Sequence, residues 1–157
     1  MPQVKPIPAF VPKGQEVYKE VSIEYTNDNR VARITMNTTG KRLNPLTCDI
    51  TNEMVAAVDE MRSKEDLHVV ILRGADGAFC CGDDLVEMHE GHWGNPNQVM
   101  RRIRYYQEFA QRIEDLDKTT IAVVEGVACG GGLEMTMVCD FVLATKGTVW
   151  GMPEIDN

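Results

Sequence analysis

The sequence predicts a mixed α/β fold in which helices cross between the strands of a largely parallel sheet. The runs 69–72 and 121–124 are short, continuous and largely β-branched, which is typical of strands buried on both faces of a sheet. Segments with apolar residues at helical spacing precede and follow each run. Because strands and helices alternate along the chain, crossover connections within one sheet are the expected arrangement.

A β-hairpin is predicted near the start of the chain. Residues 21–25 and 31–36 each alternate apolar and polar side chains, as half-buried strands do, and the turn-forming residues 26–29 separate them. A loop follows over 37–45, with a glycine and two adjacent positive charges, Lys41 and Arg42.

Three helices are predicted from their apolar spacing. The first covers 48–62 and begins after Thr47, whose side chain can cap it. The second follows a polar loop over 89–96, with Asn97 as its cap, and the third covers 133–138. Two short strands, 141–144 and 149–150, complete the pattern. The predicted apolar stripe of the second helix consists of Val99, Ile103, Tyr106, Ala110 and Ile113.

Composition indicates one domain in a reducing compartment. The 157 residues are 43% apolar and 25% charged, which allows one core and argues against wholesale disorder. A net charge of −8 argues against a nucleic-acid partner, because an acidic surface repels a phosphate backbone. The five cysteines are odd in number and contain no C-x-x-C pair, so a disulfide framework is not expected.

The sequence predicts a cytoplasmic protein without a membrane partner. No apolar run reaches the eighteen or so residues that a membrane span needs, and no signal or transit peptide is evident. Residues 1–20 contain four prolines and are expected to form an extended arm. Residues 21–157 are expected to form the core domain.

The most informative segment is a buried strand, then three consecutive glycines, then an apolar helix with one acid in it. A helix that begins at Gly130–Gly132 directs unpaired N–H groups outward, which suits an anion that is bound or developing. Glu134 lies three residues beyond Gly131, hence on the same face of that helix. The alternative is that the glycines only permit tight packing and that Glu134 is a surface acid.

Two further segments can contribute to the same site. The loop 77–85 also follows a buried strand, so the N–H of Asp83 is a candidate second donor facing Gly131. Glu154 follows Pro153 in an otherwise apolar stretch, where desolvation would favour the protonated carboxyl that a proton donor needs. Either feature is also compatible with an ordinary solvated loop.

Other chemistries lack their sequence signals. His68, His89 and His92 show no metal-ligand spacing, so no metal site is predicted. Cys80 and Cys81 are interpreted as small buried apolar residues and not as a redox pair. Neither a phosphate-binding glycine loop nor a serine nucleophile elbow occurs.

Three segments together resemble, in order, the landmark motifs of the crotonase (enoyl-CoA hydratase/isomerase) family. They are Ala-Phe-Cys-Cys-Gly-Asp-Asp-Leu-Val-Glu-Met at 78–88, Gly-Val-Ala-Cys-Gly-Gly-Gly-Leu-Glu at 126–134 and Gly-Met-Pro-Glu-Ile at 151–155. The loop Lys-Arg-Leu-Asn-Pro-Leu at 41–46 also resembles the family's early coenzyme A loop. The resemblance runs from about residue 21 to the last residue, with the twenty-residue step between the two glutamates in register.

The resemblance implies a fold and a set of site residues. The fold would be the crotonase-like spiral of β-β-α units, ending before the C-terminal helical region. The N–H groups of Asp83 and Gly131 would form an oxyanion hole, and Glu134 and Glu154 would be the acid/base pair of a hydratase. No cofactor is implied beyond the coenzyme A moiety of an acyl-CoA substrate, and a homotrimer or hexamer is implied for the complete chain. Contacts with coenzyme A would come from Arg42, Leu43, Cys81 and Leu85.

Three functions remain open at this point. The first is hydration of a 2-enoyl-CoA. The second is isomerisation, or ring-opening hydrolysis of a cyclic acyl-CoA, because Asp83 stands where relatives carry a small apolar residue. The third is a non-catalytic binding or assembly module, because the chain ends at Asn157 where family members continue for roughly another hundred residues, about a domain's length.

Overall fold

A five-stranded sheet forms the centre of the computed structural model, which describes residues 18–92 and 95–155. The first pair of strands is the predicted hairpin, antiparallel, and every later neighbour is parallel. Most of the predicted N-terminal arm, residues 1–17, lies outside the described residues. In spatial order the strands are β1 (Val21–Thr26), β2 (Val31–Met36), β3 (Val69–Gly74), β4 (Thr119–Val124) and β6 (Phe141–Ala144).

A second, smaller sheet was not predicted. It pairs β5 (Val127–Cys129) with β7 (Val149–Gly151) in parallel, and an isolated bridge joins Cys80 to Ala128. Another bridge joins Leu46 to Asp83. The strand β5 is only three residues long, too short to show a period, and its partner lies about twenty residues further along the chain. This small sheet holds side by side the segments that follow β3, β4 and β6 of the large sheet.

The helices agree with the predictions in the middle and differ at their ends. α1 (Cys48–Arg62) is confirmed, with the Thr47 side chain accepting the Ile50 N–H. α3 (Pro96–Glu114) is capped by Asn95 and not by Asn97, because proline lacks an N–H and fits the first helical position. The remaining helical segments are α2 (Leu85–Glu87), a π-helical turn (Met88–His92), α4 (Gly131–Met137) and a 3₁₀ turn (Pro153–Ile155).

Two of these elements correct the predictions. The polar loop expected over 89–96 is helical as far as residue 92, where the turn Met88–His92 continues directly from α2. The helix expected from residue 133 begins two residues earlier, at Gly131, so the last two glycines of the triplet belong to its first turn. Both differences arise because glycine and polar residues were taken as breaks, whereas packing holds them in helical conformation.

The core lies between the large sheet and α1, with α3 packed outside α1. Alternate residues of β2 and β3, such as Ile34 and Leu72, face Met54 and Val58 on the helix, and all are essentially fully buried. Each such side chain contributes about 1.5–3 kcal/mol relative to an exposed one. Among the described helices, none has the length and apolar composition that crossing a membrane requires.

The predicted apolar stripe of α3 is partly wrong. Ile103 is 42% exposed, whereas Phe109 and Ile113 are buried as the core-facing residues of the helix. A buried cation, Arg102, occupies the position one turn before Tyr106. The helix therefore presents a charged side chain to the interior.

Asn44 joins two loops at the edge of the large sheet. Its side-chain N–H₂ donates to the carbonyl oxygens of Ala75 (3.0 Å) and Ala78 (2.8 Å), and its oxygen accepts the Thr38 N–H (3.3 Å). The side chain is buried, so water cannot replace these bonds. Asn44 thereby fixes the loop before α1 against the loop after β3.

We expect Asn44→Ala to lower the free energy of unfolding by about 2 kcal/mol or more, because it leaves buried backbone groups without partners. Denaturant titration of Asn44→Ala and of the parent protein measures this loss. Asn37→Ala is the matched control: Asn37 is exposed in the same loop, so its removal should change stability by no more than about 0.5 kcal/mol. Equal effects of the two substitutions would contradict the role assigned to Asn44.

Candidate functional site

The candidate site lies where the loops after β3 and β4 meet. The two strands are parallel neighbours, so their following loops emerge at the same edge of the sheet. Gly82 has a φ of +95°, and a Cβ added there would lie 2.8 Å from the Cys129 carbonyl oxygen. A Cβ at Gly132 would overlap the Cys80 carbonyl oxygen. The loops therefore touch backbone to backbone, which only glycine permits at these two positions.

Two backbone N–H groups take no part in the backbone hydrogen bonds around the site. The Leu46 N–H donates to the Gly82 carbonyl, and the Leu46 carbonyl accepts the Asp84 N–H. The Asp83 amide, which lies between these two partners, takes no part in the pairing. Gly131 opens α4, where the first amides have no partner within the helix. In the described part of the chain, neither the Asp83 nor the Gly131 amide donates to an acceptor. Two such donors on contacting loops can stabilise negative charge on one oxygen.

Three carboxyl groups surround the glycine triplet. Measured from the position of a Cβ added to Gly131, Asp83 Oδ1 lies at 3.5 Å and Glu134 Oε2 at 4.0 Å. A Cβ added to Gly130 would overlap Glu154 Oε1. The structure thus brings together both predicted glutamates and both predicted amide positions, and it adds the Asp83 side chain as a third acid.

The electrostatics of the site act on Glu134 and Asp83. Burial raises the pKa of Glu134, and the nearby charges of Glu154 and Asp83 raise it further. Burial also raises the pKa of Asp83, although Tyr106 and Arg102 act in the opposite direction. Because each neighbouring negative charge disfavours ionisation, Glu134 and Asp83 do not titrate independently of the charges around them.

The surroundings of Glu154 are more exposed than its apolar neighbours in sequence predicted. Glu154 lies in an exposed 3₁₀ turn at the rim of the site, so the desolvation expected from its apolar neighbours in sequence is not present around it in the described residues. Its neighbours Trp150 and Ile155 are themselves exposed, at 43% and 80%. Sequence proximity to apolar residues was a poor guide here, because those side chains are exposed and leave the turn open to solvent.

Arg102 is the residue that sequence reasoning missed. Its side chain is only 6% exposed, with Nε 3.8 Å from Asp83 Oδ2 and Nη1 3.3 Å from Glu87 Oε2. It also donates to the Leu46 carbonyl and to Cys48 Sγ. Positions 99, 102, 106, 109 and 113 follow helical spacing, so the sequence did contain the signal: a charge in the apolar register of α3.

An apolar cavity of about 370 Å³ adjoins Gly131 and the carboxyl group of Glu134. Its walls come from α1, α3 and α4, and methionine and other apolar side chains predominate, as in ligand pockets generally. Its polar lining consists of Thr51, Tyr106, Gln107 and Glu134. The apolar and glycine lining consists of Leu46, Met54, Phe109, Ala110, Gly131, Met135, Met137, Val138 and Met152.

The residues suggested for coenzyme A contact lie at the outer side of the same loops. Leu43 is 49% and Leu85 is 72% exposed, so both side chains are accessible to a ligand. The Leu43 carbonyl accepts the Cys81 N–H at 2.9 Å, and Arg42 adjoins this pair with an exposed side chain. Cys81 is partly exposed, whereas Cys80 is buried as predicted.

The whole arrangement agrees with a known family. Residues 26–156 match the model of the enoyl-CoA hydratase/isomerase family. The chain belongs to this family. The resemblance stated from the motifs is therefore confirmed, and so is the fold: the crotonase α/β architecture recurs in solved structures with TM-scores near 0.8.

Individual relatives differ in their named reactions. The chain is 34% identical to a short-chain-enoyl-CoA hydratase of Clostridium acetobutylicum, over 82% of this chain and 48% of that protein. It is 31% identical to an ethylmalonyl-CoA decarboxylase of Danio rerio, over 82% and 42%. A solved enoyl-CoA hydratase/isomerase from Xanthobacter autotrophicus superposes with a TM-score of 0.82 at 31% identity, over 88% and 51%. The chain spans about half the length of these relatives.

The raised pKa of Glu134 has a consequence for stability. The folded protein holds this proton to higher pH than the unfolded chain does, so stability falls as pH rises from the ordinary carboxyl pKa through the raised one. We expect Glu134→Gln to be more stable than the parent at pH 7 by a few tenths of a kcal/mol, a small value because the side chain is open to solvent on one side.

Denaturant titration at pH 7 and at pH 3 tests this sign. The advantage of Glu134→Gln should vanish at pH 3, where the parental carboxyl is protonated in both states. Glu65→Gln, on an exposed turn outside the candidate site, provides the control. A stabilisation of Glu134→Gln that is equal at both pH values would refute the electrostatic origin.

Proposed function

We propose that the protein adds water across the double bond of a 2-enoyl-CoA thioester. One observation carries the proposal. The amides of Asp83 and Gly131, which donate to no acceptor among the described residues, lie near the carboxyl groups of Glu134 and Glu154 beside an apolar cavity. Membership of the enoyl-CoA hydratase/isomerase family supports the same class of reaction.

The amides would act on the thioester carbonyl. When the oxygen of water bonds to the β-carbon, the electrons of the double bond move toward the thioester oxygen, which becomes an enolate. Two N–H donors fixed by contacting loops stabilise that charge without reorganising, an effect of about 3 kcal/mol or more per donor. The donors belong to the backbone, so their positions depend on the glycine contacts and not on side-chain rotamers.

The glutamates would move the protons. One carboxylate accepts a proton from the attacking water, and a protonated carboxyl delivers one to the α-carbon, so that H and OH are both added. Two carboxyls in one site cannot easily ionise together, which keeps one of them protonated as the reaction requires. The influence of Glu154 on the pKa of Glu134 supports this coupling.

The remaining parts of the proposal concern binding and assembly. The coenzyme A moiety, the only cofactor group proposed, would contact Arg42, Leu43, Cys81 and Leu85, supported by the exposure of both leucines. The acyl chain would occupy the methionine-rich cavity. We further propose a homotrimer or hexamer in the cytoplasm, in keeping with the family resemblance.

Glutamine substitutions test the acid/base pair directly. In the full-length protein, Glu134→Gln and Glu154→Gln should each lower kcat for hydration of crotonyl-CoA by about a hundredfold or more, because each removes one proton-transfer group. The reaction is followed by loss of the enone absorbance. Glu65→Gln, the exposed control, should retain the parental rate.

Unchanged turnover in both glutamine variants would contradict the proposed hydratase mechanism. If the parent protein binds acyl-CoA thioesters without converting crotonyl-CoA, the non-catalytic module becomes the better reading. These two results are distinguishable, because the first concerns an active enzyme and the second an inactive binder.

A second candidate keeps the fold and changes the reaction. The Asp83 carboxyl adds a third acid to the site, which favours isomerisation or ring-opening hydrolysis of a cyclic acyl-CoA. The decarboxylase among the relatives shows that proteins of similar sequence bear names for other acyl-CoA reactions. Mass and fragmentation analysis of the product from a cyclic acyl-CoA separates the cases. Isomerisation leaves the mass unchanged, hydration and ring-opening hydrolysis each add one water, and the fragments show whether the ring survives.

A further inference from the structure

The Asp83 side chain is oriented into the site by a fixed cation. Its Oδ2 lies 3.8 Å from Nε of Arg102, whose other nitrogens bond to Leu46, Cys48 and Glu87. Because the guanidinium is held from several sides and is buried, it cannot swing away with the carboxylate. The opposite oxygen, Oδ1, is therefore left facing the space over Gly131.

That space contains two polar atoms with unused hydrogen-bonding capacity. Asp83 Oδ1 and the Tyr106 hydroxyl are both inaccessible to solvent and have no hydrogen-bond partner of good geometry among the described residues. The Tyr106 hydroxyl lies near enough to the Asp83 carboxylate to lower its pKa as a hydrogen-bond donor, although the two do not form a bond of good geometry. Tyr106, but not Asp83, lines the cavity together with Gly131 and Glu134. A buried polar atom without a partner is unfavourable unless a ligand supplies one.

The two atoms are complementary to one chemical group. A carboxylate oxygen accepts a hydrogen bond, and a phenol O–H donates one, whereas an alcohol hydroxyl does both. An ammonium group could satisfy only the acceptor, and it would stand near the positive charge of Arg102. A hydrocarbon chain would satisfy neither atom and would exclude water from both.

We propose that Asp83 and Tyr106 select acyl-CoA thioesters whose acyl group bears a hydroxyl near the thioester. Asp83 Oδ1 accepts the hydroxyl proton, Tyr106 donates to the hydroxyl oxygen, and Arg102 is the positioning residue that holds Asp83. The hydrocarbon part of the acyl group occupies the apolar cavity beyond Glu134. This selectivity rests on the proposed acyl-CoA site and deepens it.

Binding of unreactive thioesters tests the selectivity independently of hydration. Butanoyl-CoA, 2-hydroxybutanoyl-CoA and 4-hydroxybutanoyl-CoA are titrated calorimetrically into the full-length protein; the 3-hydroxy compound is omitted as the expected product of hydration. At least one hydroxylated thioester should bind about tenfold or more tightly than butanoyl-CoA, the ratio that one hydrogen bond to a charged group supports.

Matched variants assign the effect to its two atoms. Asp83→Ala should abolish the preference for the hydroxylated compound, and Tyr106→Phe should reduce it several-fold. Tyr105→Phe deletes the same hydroxyl one residue away, on a side chain that does not line the cavity, and should retain the preference. If Asp83→Ala does not fold, the parent protein and Tyr106→Phe still decide the matter.

The outcomes separate this inference from the proposed function. No preference in the parent protein, or a preference that survives Asp83→Ala, overturns the selectivity even if crotonyl-CoA is hydrated. A preference that Asp83→Ala abolishes supports it even if crotonyl-CoA is not hydrated, in which case only the hydration reaction fails.

Discussion

The contact between two backbones, at Gly82 against Cys129 and at Gly132 against Cys80, is the constraint on which the rest of the site depends. Any side chain larger than hydrogen at these glycines would separate the loops. Separation would move the Asp83 and Gly131 amides apart and shift α4, which carries Glu134. A single steric requirement therefore links the small sheet, the two N–H donors and one of the acids.

Arg102 supplies a second constraint, on the other side of the site. A buried guanidinium is costly to desolvate, and this one offsets the cost through hydrogen bonds to a carbonyl and a thiol and ion pairs with two carboxylates, although its Nε has no hydrogen-bond partner among the described residues. In exchange it ties α3 to the loop before α1 and to α2. The helix that covers the cavity is thereby connected to the loops that carry the amide donors.

The sequence was sufficient to predict the elements that have strong periodicity or an obvious partner. α1 appeared with its cap because Ile50, Met54, Val58 and Met61 repeat cleanly, and the hairpin appeared because its turn residues separate two alternating runs. The candidate site was located by three motifs in register, and the structure brings those segments together.

What escaped the sequence depends on contacts between distant segments. β5 is a strand only because β7 pairs with it, and its three residues have no detectable period. The role proposed for the Asp83 side chain depends on Arg102, nineteen positions away, which the stripe predicted for that helix did not include. Glu154 was expected in apolar surroundings, but the exposure of its neighbours is a tertiary property that the local sequence does not set.

The proposed use of main-chain N–H groups beside the Asp83 side chain has an evolutionary consequence. Donors at Asp83 and Gly131 persist whatever side chain position 83 carries, because an amide is common to every residue except proline. Selection can therefore alter the acidity, polarity and shape around the thioester without disturbing the groups that would bind its oxygen. A scaffold of this kind separates the shared step of many reactions from the part that distinguishes them, and an aspartate at position 83 is one outcome of that freedom.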